Sequence, residues 1–132
     1  MEDNEADLFL IEQAIALLSF PVVVYIVTDG EQAVRFFEDA DREQTKPCPD
    51  IVILDINLPK KQGGDVLKQM RASGRCRNAH VIAVSTSDSP RDRALMSQLG
   101  ADAYFRKPFD FDEFMKLGDL IKSVIDASEP RP

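Results

Sequence analysis

Residues 50–59 read Asp-Ile-Val-Ile-Leu-Asp-Ile-Asn-Leu-Pro. Four apolar residues, three of them β-branched, stand between two aspartates without a polar break, which predicts a strand buried on both faces inside a parallel sheet. Ligands of open α/β sheets bind outside the carboxyl ends of the strands, so Asp55 lies where we expect chemistry. A lone aspartate there also serves to cap the strand or to begin a turn, and the rest of the chain has to decide between these two roles.

The composition is that of an ordinary globular domain. The 132 residues favour one domain, and 44% hydrophobic with 30% charged residues is usual for a soluble protein with a core. No apolar run approaches the roughly 20 residues of a membrane span, and the acidic N-terminus argues against a leader peptide, so we expect a cytoplasmic protein without a membrane partner. A net charge of −7 disfavours nucleic acid as a partner. Cys48 and Cys76 lack metal-ligand spacing and are predicted to be two ordinary thiols.

Hydrophobic periodicity predicts an alternating order of helices and strands. The predicted helices cover residues 4–18, 31–40, 65–72, 90–99 and 110–127, and the predicted strands cover 22–27, 50–54, 80–84 and 103–106. Alternating strands and helices form a parallel sheet with helices on both faces, the doubly wound α/β class. A polar tail follows at 128–132.

Polar side chains follow three of the predicted strands, and two acids precede the first predicted helix. Glu2 and Asp3 precede the first helix, whereas Asp55, Ser85 and Lys107 follow three of the strands. Clustered carboxylates repel one another unless a cation lies among them, and a small set of oxygen ligands suits Mg²⁺. Asp55 could then act as a nucleophile toward a phosphoryl group, which an ammonium and a hydroxyl group would stabilise.

These residues and their order resemble the receiver domain of the response regulators of two-component signalling. The separations from Asp55 to Ser85 and from Ser85 to Lys107, 30 and 22 residues, are similar to those of the family. The resemblance covers residues 1–127 and rests on Glu2-Asp3-Asn4, Asp29-Gly30, Leu54 to Pro59 with Gly63, Ser85, Gly100-Ala101, and Tyr104 three residues before Lys107-Pro108-Phe109. The turn at 58–61, Leu-Pro-Lys-Lys, resembles single-domain regulators linked to phytochrome-type kinases.

The resemblance implies a flavodoxin-like fold of (βα)5 pattern and a role for each matching residue. Asp55 would accept a phosphoryl group from a phosphohistidine of a sensor histidine kinase. Glu2, Asp3, Asp55 and the backbone carbonyl of Asn57 would bind Mg²⁺, and the Asn57 side chain would tune hydrolysis. Lys107 would pair with a phosphoryl oxygen.

The resemblance also implies a switch. Ser85 would hydrogen-bond the phosphoryl group, and Tyr104 would change its side-chain rotamer in response. The protein-interaction surface formed by the later helices and the last strand would change with them. Pro108 would allow a cis peptide bond, which the family uses to direct Lys107.

The chain departs from the family at its start. The family opens with a hydrophobic strand that ends in the acidic pair, but here Met1 stands where the last residue of that strand should be. In the order 2-1-3-4-5, the loss of this strand leaves two edges with unpaired backbone groups, which is costly. We therefore expect a non-standard sheet and a homo-oligomer, with weakened support for Glu2 and Asp3 and for Mg²⁺.

Three functions fit these features. The first is a stand-alone, phosphorylation-dependent receiver that acts through an unknown downstream protein and is no enzyme beyond gaining and losing its own phosphoryl group. The second is a degenerate receiver, not phosphorylated, that serves as a binding module. The third is an aspartyl-phosphate phosphatase, although that class usually has a second acid two residues after the nucleophile, where this chain has Asn57.

Overall fold

The computed structural model describes residues 1–57 and 62–128, and the predicted turn at 58–61 and most of the polar tail lie outside them. In chain order the elements are α1 (Glu5–Ala16), α2 (Gly30–Arg42), β1 (Ile51–Asp55), α3 (Gly63–Arg71), β2 (His80–Ser85), α4 (Pro90–Gln98), β3 (Ala103–Arg106) and α5 (Phe111–Ser128). In this described part of the chain, no helix is long and apolar enough to cross a membrane.

The three strands form one parallel sheet in the order β1-β2-β3. Alternate residues of β2 face two separate cores, because successive side chains of a strand point to opposite faces. Val81 and Ala83 pack with α2 and α3, whereas Ile82 and Val84 pack with α1 and α5. Helices on both faces of a parallel sheet confirm the predicted doubly wound α/β class.

Polar side chains cap two helices, and a glycine ends the turn after one of them. The side chain of Asn4 accepts a hydrogen bond from the amide of Asp7 at the start of α1, and Ser89 caps α4 with Pro90 in its first turn. Gly100 ends the last turn after α4 with a φ of 106°, a left-handed conformation that favours glycine.

The predicted strand at 22–27 is not part of the sheet. Among the described residues, the only backbone hydrogen bond of this segment is that of the Val27 carbonyl, which accepts from the amide of Glu2 at 3.0 Å. Val22–Ile26 are 45–79% exposed. The β-branched residues alone do not make a strand, because no neighbouring strand pairs with them. The expectation of a non-standard sheet is confirmed, and we call the space between residues 22–27 and β1 the open slot.

The two cysteines are not separate thiols. Cys48 and Cys76 form a disulfide, with their Cα atoms 5.3 Å apart. The prediction of two ordinary thiols was therefore wrong. The sequence separation of 28 gave no local signal for the bond. The fold brings the residues just before β1 and β2 together because these two strands are neighbours in the sheet.

Candidate functional site

Three predicted site residues meet at the carboxyl edge of the sheet. Asp55, the last residue of β1, pairs with Val84 of β2, so Ser85 lies one residue farther along the neighbouring strand. Lys107 directly follows β3, and its amide donates to the Ser85 carbonyl at 2.7 Å. The parallel register thus places an acid, a hydroxyl group and an ammonium side by side. All three residues are buried.

The Lys107 ammonium is enclosed by carboxylates. Its Nζ donates to Glu2 Oε2 at 2.7 Å, to Asp55 Oδ2 at 2.9 Å and to Asp7 Oδ2 at 3.0 Å. Lys107 is 7% exposed and Glu2 only 1%. Charges are tolerated at such depth only when they are paired and hydrogen-bonded, so this ammonium holds the acidic cluster together.

These pairings govern the ionisation of the site. Burial disfavours the charged form of Lys107, but hydrogen bonds to Glu2, Asp55 and Asp7 outweigh it and raise the pKa of the lysine above its ordinary value. Burial works against the charged form of Asp55 as well. The amide of Asn57, which donates to Asp55 Oδ1 at 2.8 Å, helps to bring the pKa of Asp55 below its ordinary value, together with Glu2 and Lys107. Asp55 is therefore an ionised, oriented carboxylate.

Glu2 is supported by backbone hydrogen bonds of residues 1 and 2. The Met1 ammonium donates to the Ile53 carbonyl at 2.9 Å, and the Met1 carbonyl accepts from the Asp55 amide at 3.1 Å. The amide of Glu2 in turn donates to Val27. Two residues thus bridge the open slot at its end, and the expected loss of support for Glu2 was wrong. Burial lowers the pKa of the Met1 amine to about 6.

Burial also raises the pKa of Glu2, to about 7, with the neighbouring Asp55 adding to the effect against the opposing hydrogen bond from Lys107. Because burial disfavours the ionised form of Glu2, a divalent cation beside it would favour that form.

The acidic residues fit a divalent cation. One oxygen each from Glu2, Asp3 and Asp55 lies within 4.8 Å of the others. Carboxylate oxygens are the ligands that Mg²⁺ prefers, and the exposed Asp3 leaves the group accessible from solvent. These three carboxylates therefore fit the predicted Mg²⁺. Lys107 contacts Glu2 and Asp55 on their buried side.

Ser85 is connected to Tyr104 through one loop residue. Ser85 Oγ accepts from the Ser87 amide at 3.0 Å, and the Tyr104 hydroxyl donates to the Ser87 carbonyl at 2.9 Å. The Arg93 guanidinium lies 4.6 Å from the centre of the Tyr104 ring. The two predicted switch residues therefore share a partner. The cis bond implied at Pro108 is absent, since every peptide bond of the described residues is trans.

Sequence reasoning missed Asp7. It lies in the first turn of α1, and its carboxylate accepts a hydrogen bond from Lys107 Nζ. The sequence carried no specific signal for this contact, because Asp7 and Lys107 are 100 residues apart in the chain.

Known proteins are similar to this chain in sequence and in architecture. Residues 1–118 match the response regulator receiver domain family. Response regulator Rcp1 of Synechocystis sp. is 26% identical over 123 residues, covering 93% of this chain and 84% of the relative.

Two solved structures are similar over nearly the whole chain. The phosphorylated cyanobacterial phytochrome response regulator RcpA has a TM-score of 0.86 at 28% identity, with 98% of this chain and 93% of the other covered. The Mn²⁺-bound form of response regulator Rcp1 has a TM-score of 0.84 at 25% identity, with 100% and 95% covered. With its parallel sheet, its buried acid and lysine and this match over residues 1–118, the chain belongs to the response regulator receiver domain family.

Proposed function

We propose that this domain accepts a phosphoryl group on Asp55 and uses it to change a protein-interaction surface. The observation that carries the proposal is the 2.9 Å contact between Lys107 Nζ and Asp55 Oδ2 inside a buried cluster of acids. A buried carboxylate that is kept ionised and oriented is available as a nucleophile, and the ammonium beside it can bind a phosphoryl oxygen.

The proposed donor is a phosphohistidine of a sensor histidine kinase. A carboxylate oxygen of Asp55 forms a bond to phosphorus while the bond from phosphorus to the imidazole nitrogen breaks. The imidazole nitrogen keeps the electron pair and takes up a proton. Lys107 and the Ser85 hydroxyl stabilise the charge on the transferred oxygens.

Glu2, Asp3, Asp55 and the backbone carbonyl of Asn57 would hold Mg²⁺. When bound, the cation neutralises negative charge on the phosphoryl oxygens. Lys107 pairs with two of these carboxylates and lies within reach of a phosphoryl group on Asp55; a cation that shared the carboxylates would weaken the hold of Glu2 and Asp55 on its ammonium. The Asn57 side chain is exposed next to Asp55 and is suited to affect hydrolysis of the acyl phosphate.

The switch follows from the shared loop residue. Phosphorylation adds about −1.5 to −2 charges and strong acceptor oxygens. A Ser85 hydroxyl drawn toward them no longer holds the Ser87 amide in its present place, and Tyr104 then loses its hydroxyl partner. The two rotamers of Tyr104 represent a two-state equilibrium that the phosphoryl group biases.

The proposal also covers the extent of the domain, its location and its downstream partner. The receiver spans residues 1–127, with a tail at 128–132, and acts in the cytoplasm through an unknown downstream protein. Its own chemistry consists of gaining and losing the phosphoryl group.

Mass spectrometry after incubation with acetyl phosphate and Mg²⁺ tests the proposal. We expect a mass increase of one phosphoryl group in the natural protein and none in Asp55→Asn. Asp50→Asn, at the opposite end of β1, is the matched control and should be modified like the natural protein. Modification of Asp55→Asn, or no modification of the natural protein, contradicts the proposal. Turnover of many phosphoesters would favour a phosphatase instead.

A further inference from the structure

Lys107 has three carboxylate partners, and one of them lies outside the set of acids that fits Mg²⁺. An ammonium carries three N–H donors, and Lys107 Nζ donates to Glu2 at 2.7 Å, to Asp55 at 2.9 Å and to Asp7 at 3.0 Å. The acids whose oxygens lie within 4.8 Å of one another are Glu2, Asp3 and Asp55, which we call the cation group. Among the described residues, Asp7 is the acid that contacts Lys107 without belonging to this group.

Lys107 and a divalent cation compete for the same two carboxylates. Both oxygens of Glu2 and both of Asp55 already accept a hydrogen bond, from Lys107 and from the amides of Asn4 and Asn57. A cation on these oxygens weakens their attraction for the ammonium. Lys107 is buried, and a buried ammonium that loses its partners costs much free energy. Mg²⁺ therefore binds well only where another acid keeps Lys107 paired.

Asp7 is placed to be that acid. It lies in the first turn of α1, and its amide donates to the side chain of Asn4 at 3.0 Å, so the helix cap fixes its backbone. The Asp7 side chain is 25% exposed, against 1% for Glu2, so its negative charge costs less desolvation. Asp7 thus gives Lys107 a charged partner that the cation group does not use.

We propose that Asp7 is a positioning residue of the Mg²⁺ site, which holds the Lys107 ammonium while the cation group binds Mg²⁺ and thereby raises the affinity for the ion. This inference rests on the Mg²⁺ site of the proposed function. Without Asp7, the whole charge of Lys107 falls on Glu2 and Asp55, where it opposes Mg²⁺. The effect depends on the contact with Lys107, because the attraction of an exposed carboxylate for a more distant ion is screened by salt.

Calorimetric titration with magnesium chloride, without a phosphoryl donor, tests the inference. Asp7→Asn keeps the size of the side chain and removes its charge. It should raise the dissociation constant for Mg²⁺ about tenfold or more, the usual cost of losing a residue that supports metal ligands. Glu5→Gln is the matched control, because it removes the same charge from the same turn at an exposed position, and it should bind Mg²⁺ like the natural protein. Circular dichroism confirms that both variants fold.

Replacing the lysine separates positioning from a merely structural role. In a Lys107→Gln protein the competing ammonium is gone, so adding Asp7→Asn should change the Mg²⁺ affinity no more than adding Glu5→Gln does. A structural role of Asp7 would weaken Mg²⁺ binding by the same factor with and without Lys107.

The rate of modification by acetyl phosphate provides a second measurement with Lys107 in place. Asp7→Asn should need about tenfold more Mg²⁺ for half-maximal modification of Asp55. Its rate at saturating Mg²⁺ should match that of the natural protein, because a saturating ion overcomes the competition from Lys107.

The outcomes distinguish this inference from the proposed function. Equal Mg²⁺ affinities of the natural protein and Asp7→Asn overturn the inference, as does a loss that persists in full without Lys107, and neither result bears on phosphoryl transfer to Asp55. A natural protein that binds no Mg²⁺ overturns the inference as well. If Mg²⁺ binding responds as expected but Asp55 is not modified, the proposed function fails and the role of Asp7 is retained.

Discussion

Two β-branched stretches of this chain reach opposite outcomes. β2 is flanked by β1 and β3, and five of its six residues are buried. Residues 22–27 contain five aliphatic or β-branched residues and a tyrosine, yet form no strand and remain largely exposed. The two stretches have similar intrinsic preferences, so the comparison shows that a strand depends on its neighbours more than on its own composition. The functional site draws on both parts of the molecule. Glu2 is hydrogen-bonded to Val27 of the unpaired segment, whereas Asp55, Ser85 and Lys107 lie at the edge of the paired sheet.

The largest loss of stability should follow replacement of Lys107, which joins Glu2 to Asp55. Lys107→Gln leaves buried carboxylates on both sides without their cation, and removing one partner of a buried pair costs about 3–5 kcal/mol of unfolding free energy. Urea denaturation measures this loss. Mg²⁺ should stabilise the variant more than the natural protein, since it replaces the missing charge. Lys116 is exposed and paired with Glu113, so Lys116→Gln is the control. If Lys107→Gln loses no more unfolding free energy than Lys116→Gln, the role of Lys107 is contradicted.

Removing the disulfide should have the second largest effect on stability. It joins the segments just before β1 and β2. Replacing both Cys48 and Cys76 by serine should lower the unfolding free energy by about 2–4 kcal/mol, because the unfolded chain gains the freedom of a large loop. Adding a reductant to the natural protein should lower its melting temperature similarly and leave the double variant unchanged. Equal melting temperatures in all three samples would show that the bond does not form.

A pair of equivalent truncations compares the two regions directly. Val81 is fully buried in β2, and Val81→Ala should cost about 2 kcal/mol through lost burial and the cavity left behind. Val23→Ala should change the unfolding free energy by less than about 0.5 kcal/mol. Comparable losses at the two positions would mean that residues 22–27 are packed in solution.

The smallest effect should come from Asp41, which attaches α2 to the loop between α3 and β2. Asp41 accepts hydrogen bonds from the Ser73 hydroxyl and from the amides of Arg75 and Gly74, which hold its pKa below the ordinary value. Such a depressed pKa contributes stability that is present above the unfolded value near 3.8 and is lost as the pH falls through the folded value.

Asp41→Asn should therefore be less stable than the natural protein at neutral pH, with a difference that shrinks in acid. Thermal melts from pH 7 to pH 2 measure it. Asp39→Asn removes only an exposed ion pair with Arg42 and is the control. A difference that grows as the pH falls would show that the Asp41 hydrogen bonds favour the protonated form.

Local patterns were enough to place the helices and the three paired strands. They also located Asp55, Ser85 and Lys107, because residues at the carboxyl ends of parallel strands meet at one edge whatever the details of packing. The roles of Asn57, Tyr104 and the Mg²⁺ ligands rest on family resemblance and stay predictions.

The sequence by itself determined the fold class and the acid, hydroxyl group and lysine at one edge of the sheet, since these follow from periodicity and spacing along the chain. Only the tertiary structure decided that Cys48 bonds to Cys76, that Asp7 also binds Lys107, and that residues 22–27 remain unpaired. Each of these outcomes depends on which distant segment lies beside a residue. That is a property of strand order and packing, and neighbouring residues in the chain do not encode it.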